Sequence, residues 1–443
     1  MASEWEEVSI ADIASRIAIG PFGSDIKTDN FVPTGVPVIR GGNLTSGRFN
    51  SNDFVFLTEE KADQLLNANA YPGDLVFTHR GTLGQVGLVP HGSYKRYVVS
   101  QSQMKLTCNP AAADPSFIYY FFKSPTGRHA LLMHTSQTGV PAISRPVTSL
   151  KSVRIRLPTL PEQRAIAQIL GTLDDKIELN RRMNETLDAI ARALFKSWFV
   201  DFEPVAAKAE GRSPGWPARL VKIFPDSFQT SELGRIPTGW RVASIGDLCR
   251  RVAMGPFGSD IKTDNFIESG VPVIRGGNIT NGFIDENFVF VSETKADALR
   301  NANAFPGDIV ITHRGTLGQV GLIPRLARFP RYIVSQSQML LSVNPELTTS
   351  RYIFEYLRSP VGQHALLANT SQTGVPAIAR PTNSVRSIRI LQPPLPLLAS
   401  FDAIIGPLMA RGDRASLELR SLSSLRDTLL PKLISGEVRV MGM

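Results

Sequence analysis

Cysteine is nearly absent from this 443-residue chain. The two present, Cys108 and Cys249, lack CxxC spacing and cannot build a metal site between them. A reduced cytosolic compartment is the simplest reading of such a sequence. No run of about 18 apolar residues occurs, so no membrane span is expected. The opening MASEWEEVSIADI has neither a basic n-region nor an apolar h-region, which predicts no signal peptide. HExxH and GxxxxGK[ST] are both missing. His79 and His313 stand beside arginines, but no nucleophile or carboxylate lies at a diagnostic spacing from them. Acidic residues are in deficit, 39 against 48 basic ones, for a net charge of +9. That balance suits a polyanionic partner such as nucleic acid, and equally a generic basic protein.

What the sequence does have is a unit written twice. GPFGSDIKTDNF runs from Gly20 to Phe31 and again from Gly255 to Phe266. GVPVIRGGN begins at Gly35 and Gly270, THRGTLGQVGL at Thr78 and Thr312, VSQSQM at Val99 and Val334, and TSQTGVPAI at Thr135 and Thr370. The offset is 235 at Gly20/Gly255 and at Thr135/Thr370 but 234 at Thr78/Thr312, so a one-residue gap opens and closes inside the repeat. It opens in the turn-like stretch SGRFNSND against NGFIDEN, where insertions are tolerated. Trp5 matches Trp240, and Leu160-Pro161 matches Leu395-Pro396. A period this long means two homologous domain-plus-helix modules, joined by a Pro-, Gly- and charge-rich segment containing AAKAEGRSPGWP.

In each module the first part is punctuated by Gly, Pro, Asn and Asp. The apolar runs VPVIR, DLVFT, RYVVSQSQMKL and SVRIRL read as short strands. FIYYFFKSPTGRHALLMHT reads as helix, its aromatics facing a core. The fold class is α+β. The second part is one long helix. Ile166, Leu170, Leu173, Ile177, Asn180, Asn184, Leu187, Ala191, Leu194 and Trp198 follow the alternating 4-3 spacing of a coiled-coil seam. The matching seam reads Phe401, Ile405, Leu408, Gly412, Ala415, Leu419, Leu422, Arg426, Leu429 and Leu433. Gly412 and Arg426 weaken it, and Pro407 is a point for a kink. Each seam needs a cover. Either the two pair as a hairpin or rod, or each packs on its own domain. A rod of about 35 residues would span roughly 50 Å. That length exceeds one turn of a DNA duplex, roughly 34 Å, should the two domains face nucleic acid.

These strings carry a family resemblance. The Trp-containing leads, G-P-F-G-S, V-I-R-G-G-N, T-H-R-G-T-L-G, V-S-Q-S-Q, the S-V-R-I-R-L-P-T-L-P-E-Q-R ending, and the central LFKSWFVDFEPV followed by FPDSFQTSELGRIPTGW occur together and in order. The chain resembles, over nearly its whole length, the specificity subunit of type I restriction-modification systems. One departure is LPLLASFD where the first helix has E-Q-R, so contacts made by Glu162, Gln163 or Arg164 need not recur in the second half. The resemblance implies two homologous α/β target-recognition domains, 1–157 and 236–392. Two long antiparallel coiled-coil helices, at 158–202 and 393–443, separate them with pseudo-twofold symmetry, and 203–235 serves as linker. It also implies double-stranded DNA as ligand and two methyltransferase subunits as partners, with a restriction/translocase subunit joining in some assemblies. This chain would bind no cofactor itself. S-adenosylmethionine would sit on the methyltransferase, whose N/D-P-P-Y/F string is missing here, since Asn109-Pro110 and Asn344-Pro345 continue as NPAA and NPEL. The alternative is a stand-alone sequence-specific DNA-binding scaffold or repressor.

Candidate DNA contacts are loop residues with suitable donors. They are Lys27, Arg40, Arg80, Gln101, Ser102, Gln103, Gln137, Thr138 and Arg145. Their counterparts are Lys262, Arg275, Arg314, Gln336, Ser337, Gln338, Gln372, Thr373 and Arg380. Lys27 and Arg40 suit phosphates; Gln137 and Thr138, with Ser102 nearby, suit base edges. Arg80 lies in HRGTLGQVG, which resembles a family-wide string found in domains of differing specificity, and the resemblance favours a structural or phosphate role. Because both modules carry nearly the same loops, they are expected to read the same short sequence on opposite strands.

Overall fold

The computed structural model describes residues 5–23, 25–44, 49–51, 53–92, 94–136, 139–213, 215–256, 258, 260–280, 282–371 and 374–440. Four helices organise it: α1 (Pro115–Lys123), α2 (Leu160–Phe199), α3 (Ser350–Arg358) and α4 (Leu395–Ser435). The chain forms two compact units, Met1–Leu179 with Glu418–Met443, and Asn180–Leu417. These limits differ from those set by the repeat, because each unit takes part of both long helices.

The first unit holds two four-stranded sheets. One has the order Ala14–Ile19, Gln103–Cys108, Leu75–Thr78, Val86–Leu88, with antiparallel neighbours throughout. The other runs Val55–Leu57, Val36–Ile39, Tyr97–Val99, Asn69–Ala70, with one parallel pairing between Val36–Ile39 and Tyr97–Val99. RYVVSQSQMKL is thus two strands in two sheets. The chain turns between them, where Gln103 N donates to Ser100 O at 3.0 Å. The aromatic run is likewise two helices. Asp114 caps α1 by accepting from the Ser116 and Phe117 amides. Ser124 and Pro125 then end it and start Pro125–Leu132. Phe117, Ile118, Tyr119, Tyr120, Phe121 and Phe122 are all buried, giving this unit most of its aromatic core.

The second unit repeats both sheets: Cys249–Met254, Gln338–Val343, Ile309–Thr312, Val320–Leu322, and Val289–Val291, Val271–Ile274, Tyr332–Val334, Asn303–Ala304. One buried charge is handled differently in the two. Asp74 meets the buried ammonium of Lys105 at 3.3 Å. Its counterpart Asp308 meets Arg251 at 3.3 Å, while Leu340 takes the position of Lys105. A buried carboxylate needs a cationic partner in either case.

Within each unit the long helices pair antiparallel. In the first, Ile166 and Leu170 of α2 share a core with Leu430, Leu433 and Ile434 of α4. Lys176 meets Glu418 at 3.4 Å, Asp174 meets Arg426 at 3.0 Å and Glu162 meets Arg439 at 2.7 Å. In the second, Asn184 Nδ2 donates to Ser416 Oγ at 2.9 Å, and the rings of Phe195 and Phe401 lie 6.3 Å apart. The seams therefore do not pack on their own domains alone. Ile177, Leu187, Leu194, Phe401 and Ile405 are buried, and Leu173, Leu408, Leu419, Leu422 and Leu429 half-buried. Two expected weak points are corrected. Gly412 is a point of close approach, where a side chain would crowd Asn184 and touch Leu187. Arg426 is held by Asp174, which also accepts from the Tyr120 hydroxyl at 3.0 Å. The helix runs through Pro407 without interruption.

The E-Q-R departure has a physical counterpart. Gln163 is buried and accepts from Asp114 N while donating to Ala112 O and Pro158 O. Glu162 accepts from Trp5 Nε1 and from the Arg439 guanidinium, which lies over the Trp5 ring. In the second unit Leu397 and Leu398 stand at these positions, fully buried, so packing replaces the polar contacts.

Candidate nucleic-acid interface

In the first unit the two turns that precede and follow the sheet crossover enclose an open cleft of about 410 Å³. Its lining includes Arg40 and Gly41 after Val36–Ile39, Thr78, Arg80 and Thr82 around the end of Leu75–Thr78, and Ser100, Gln101, Ser102 and Gln103 at the crossover. Segments some 60 residues apart in sequence thus supply one site. Among the described residues two arginines and no carboxylate line it, so it favours anionic or acceptor-rich ligands.

A chain of side-chain amides and hydroxyls fixes the floor. Ser100 Oγ donates to Gln103 Oε1, and Gln103 Nε2 donates to Thr78 Oγ1 at 3.4 Å. Thr78 Oγ1 donates to Gln85 Oε1 at 2.8 Å, and Gln85 Nε2 to Gly41 O at 3.2 Å. The same chain recurs from Ser335 through Gln338 and Thr312 to Gln319, which ends on Thr280 Oγ1 instead. Gln103 and Gln338 are each only 1% exposed. That corrects their placement among the contact residues. They sit on a central strand covered on both faces, and they position the cleft without facing out of it.

The remaining candidates divide by position. Arg40, Arg80 and Gln101 are exposed and Ser102 half-buried, as are Arg275, Arg314, Gln336 and Ser337 in the second unit. Arg40 uses one Nη to brace the following loop, donating to Asp53 O at 2.9 Å; Arg275 does so to Asn287 O at 3.3 Å. Lys27 and Arg145 are exposed and outside the cleft lining. Lys262 and Arg380 are also exposed. Arg145 and Arg380 adopt left-handed backbone, φ 46°, where each turns its hairpin into a helix. That hairpin, Thr135–Ser136 with Ala142–Ile143, is pinned beside Arg80, with Gly81 N donating to Pro141 O and Ile143 N to His79 O, both at 2.8 Å. Gln137 and Thr138, and Gln372 and Thr373, lie outside the described residues. The lining also holds residues that the candidate list lacks, among them Phe22, Thr78, Thr82 and Ser100. The signal for Phe22 was a bulky aromatic inside a Gly-Pro-Phe-Gly turn that no apolar pattern explained.

His79 and His313 offer no acid-base pair. Burial lowers both imidazoles below their ordinary value, so they are uncharged at neutral pH. His79 Nε2 lies 3.2 Å from Gln101 O, a brace for the crossover turn. Burial pushes the Cys108 and Cys249 thiols up to about 12, which makes them unreactive. Among the described residues no cluster of three or more His, Cys, Asp or Glu is placed to hold a metal. No helix among them is long and apolar enough to cross a membrane.

A duplicated α+β module with a basic cleft, combined with antiparallel long helices, defines a recognition subunit. The chain belongs to the type I restriction modification DNA specificity domain family, matched over residues 2–189 and 237–397, and is a specificity subunit, the non-catalytic DNA-recognition component of such a system. It is 24% identical to the type I restriction enzyme HindI specificity subunit of Haemophilus influenzae, over 98% of this chain and all of that one. It is 24% identical to the MjaIX specificity subunit of Methanocaldococcus jannaschii, over 86% of this chain and 81% of that one. Its fold is similar to that of a type I restriction-modification S subunit from M. genitalium, with a TM-score of 0.62, 18% identity and coverage of 97% and 96%.

Proposed function

We propose that the chain reads a bipartite, near-palindromic DNA site and docks two adenine methyltransferase subunits, with nuclease/translocase subunits joining the same assembly. S-adenosylmethionine belongs to the methyltransferase. Residues 1–157 and 236–392 act as target-recognition domains, 158–202 and 393–443 carry the spacer helices, and 203–235 links the modules. The observation that carries the reading is the identity of the two recognition surfaces. Arg40, Gly41, Thr78, Arg80, Gly81, Thr82, Ser100, Gln101 and Ser102 recur unchanged as Arg275, Gly276, Thr312, Arg314, Gly315, Thr316, Ser335, Gln336 and Ser337. Equal donors at equal places read equal base edges.

Arg80 and Arg314 hold phosphates, which fix register; Gln101, Gln336, Gln137, Thr138, Gln372 and Thr373 read bases. The test is to map methylated adenines in cells expressing this chain with its methyltransferase. Inverted-repeat halves support the reading, and two unrelated halves overturn it. A chain that purifies without any methyltransferase would favour the stand-alone scaffold.

A further inference from the structure

Phe22 is 77% exposed, the most exposed large apolar side chain among the described residues. It is not on a slack loop. Phe22 N donates to Asp25 Oδ2 at 3.1 Å, and Asp25 N donates back to Phe22 O at 2.9 Å. Gly20 N donates to Gln103 O at 2.8 Å, and any side chain at Gly20 would overlap the Ser100 carbonyl. A side chain at Gly23 would meet the Gln101 amide. The two glycines thus let the turn lie directly on the crossover turn, and this close seating sets the Phe22 ring in the lining of the cleft with Arg40, Arg80 and Gln101.

A fixed aromatic ring standing in water among hydrogen-bond donors calls for an apolar partner at the same place as polar ones. On a DNA major-groove edge the group that meets this description is the thymine 5-methyl. Resting on the DNA-recognition reading above, we propose that Phe22 is a specificity-determining residue that packs against the 5-methyl group of one thymine in the half-site, beside the bases contacted by Gln101. The repeat carries the same Gly-Pro-Phe-Gly string at Gly255–Gly258, with Phe257 outside the described residues.

The test uses the complete chain assembled with its methyltransferase subunits and duplexes carrying the mapped site. Each thymine is replaced in turn by deoxyuridine, which removes only the methyl. The wild-type complex is expected to lose about fourfold in affinity at one thymine per half-site, the effect of burying a single methyl-sized group. In Phe22→Ala that methyl dependence disappears from one half-site and persists in the other, while the melting temperature of the free chain is unchanged because the ring touches little. The proposal is overturned if no thymine methyl matters, or if the dependence survives Phe22→Ala in both half-sites. It is also overturned if Phe22→Ala abolishes a DNA bend without any methyl dependence, since that marks a wedge between base steps. A complex that binds no duplex of any sequence overturns the DNA-recognition reading itself, which is a separate result.

Discussion

Glu355 gives the sharpest quantitative prediction. It lies on α3, 2% exposed, in a helix whose other residues anchor the second unit to α2. Arg351 Nη1 reaches its Oε1 at 3.4 Å, but Oε2 has no hydrogen-bond partner. Arg358, 4.0 Å away, is committed to Asp188 on α2 through bonds of 2.7 and 3.0 Å. Burial outweighs the pull of Arg351 and pushes the Glu355 carboxyl up to about 7 from 4.5, with Asp188 pushing the same way. Between those values the folded chain holds a proton that the unfolded chain has released. The stability linked to this group is therefore fully present below pH 4.5 and is lost as pH rises through 7. A shift of this size corresponds to about 3 kcal/mol. Glu355→Gln imitates the protonated acid at every pH. It should leave stability nearly unchanged at pH 5 and raise it at pH 8 by up to about 3 kcal/mol, or roughly 5–10 °C in melting temperature for a unit of this size. Thermal unfolding followed by circular dichroism from pH 5 to 8 reads both. Equal destabilisation at the two ends would refute the reasoning, because it would mean that an ionised Glu355 is held by Arg351 and Arg358 at neutral pH.

Two other predictions concern the cleft. Arg80→Ala and Arg314→Ala should each weaken binding alike on all sequences and lower the slope of log affinity against log salt by about 1, the signature of one lost phosphate contact; a changed motif with an unchanged slope would assign them to bases instead. Gln103→Leu should cost about 1–3 kcal/mol by leaving Ser100 and Thr78 without their buried partner, and should weaken DNA binding although Gln103 touches no ligand. Unfolding and binding measured on one preparation check it, and full affinity in a destabilised protein would sink the positioning role.

The duplication, the α+β class and the long helices were legible because repeats and periodicity are local signals. Other features depended on partners distant in sequence. RYVVSQSQMKL looked like one strand because β-branched and apolar residues continue through it; the turn at Ser100–Gln103 exists because two different sheets claim the two ends. Gln103 looked like a loop donor, and only the cover on both faces of its strand made it a buried brace. Gly412 and Arg426 read as flaws in a seam. Their neighbours Asn184, Leu187 and Asp174 sit on the other helix, so their use appears only once the antiparallel register is known. In the cleft, Arg40, Arg80, Gln101 and Ser102 were identified by chemical type, and the structure brings them into one lining. Phe22 carries no polar group, so chemical type alone does not mark it as a contact.

The central claim is that the two modules read the same half-site, and the most direct measurement exploits their equal length. Residues 249–342 are replaced by a copy of 14–107, which carries the cleft-lining strings and moves the Asp74–Lys105 pair as a unit while leaving α3 and both long helices intact. The methylated motif of this chimera, determined in cells with the methyltransferase, should be the wild-type motif in both halves. A chimera that is folded and active but methylates a different second half-site would contradict the account.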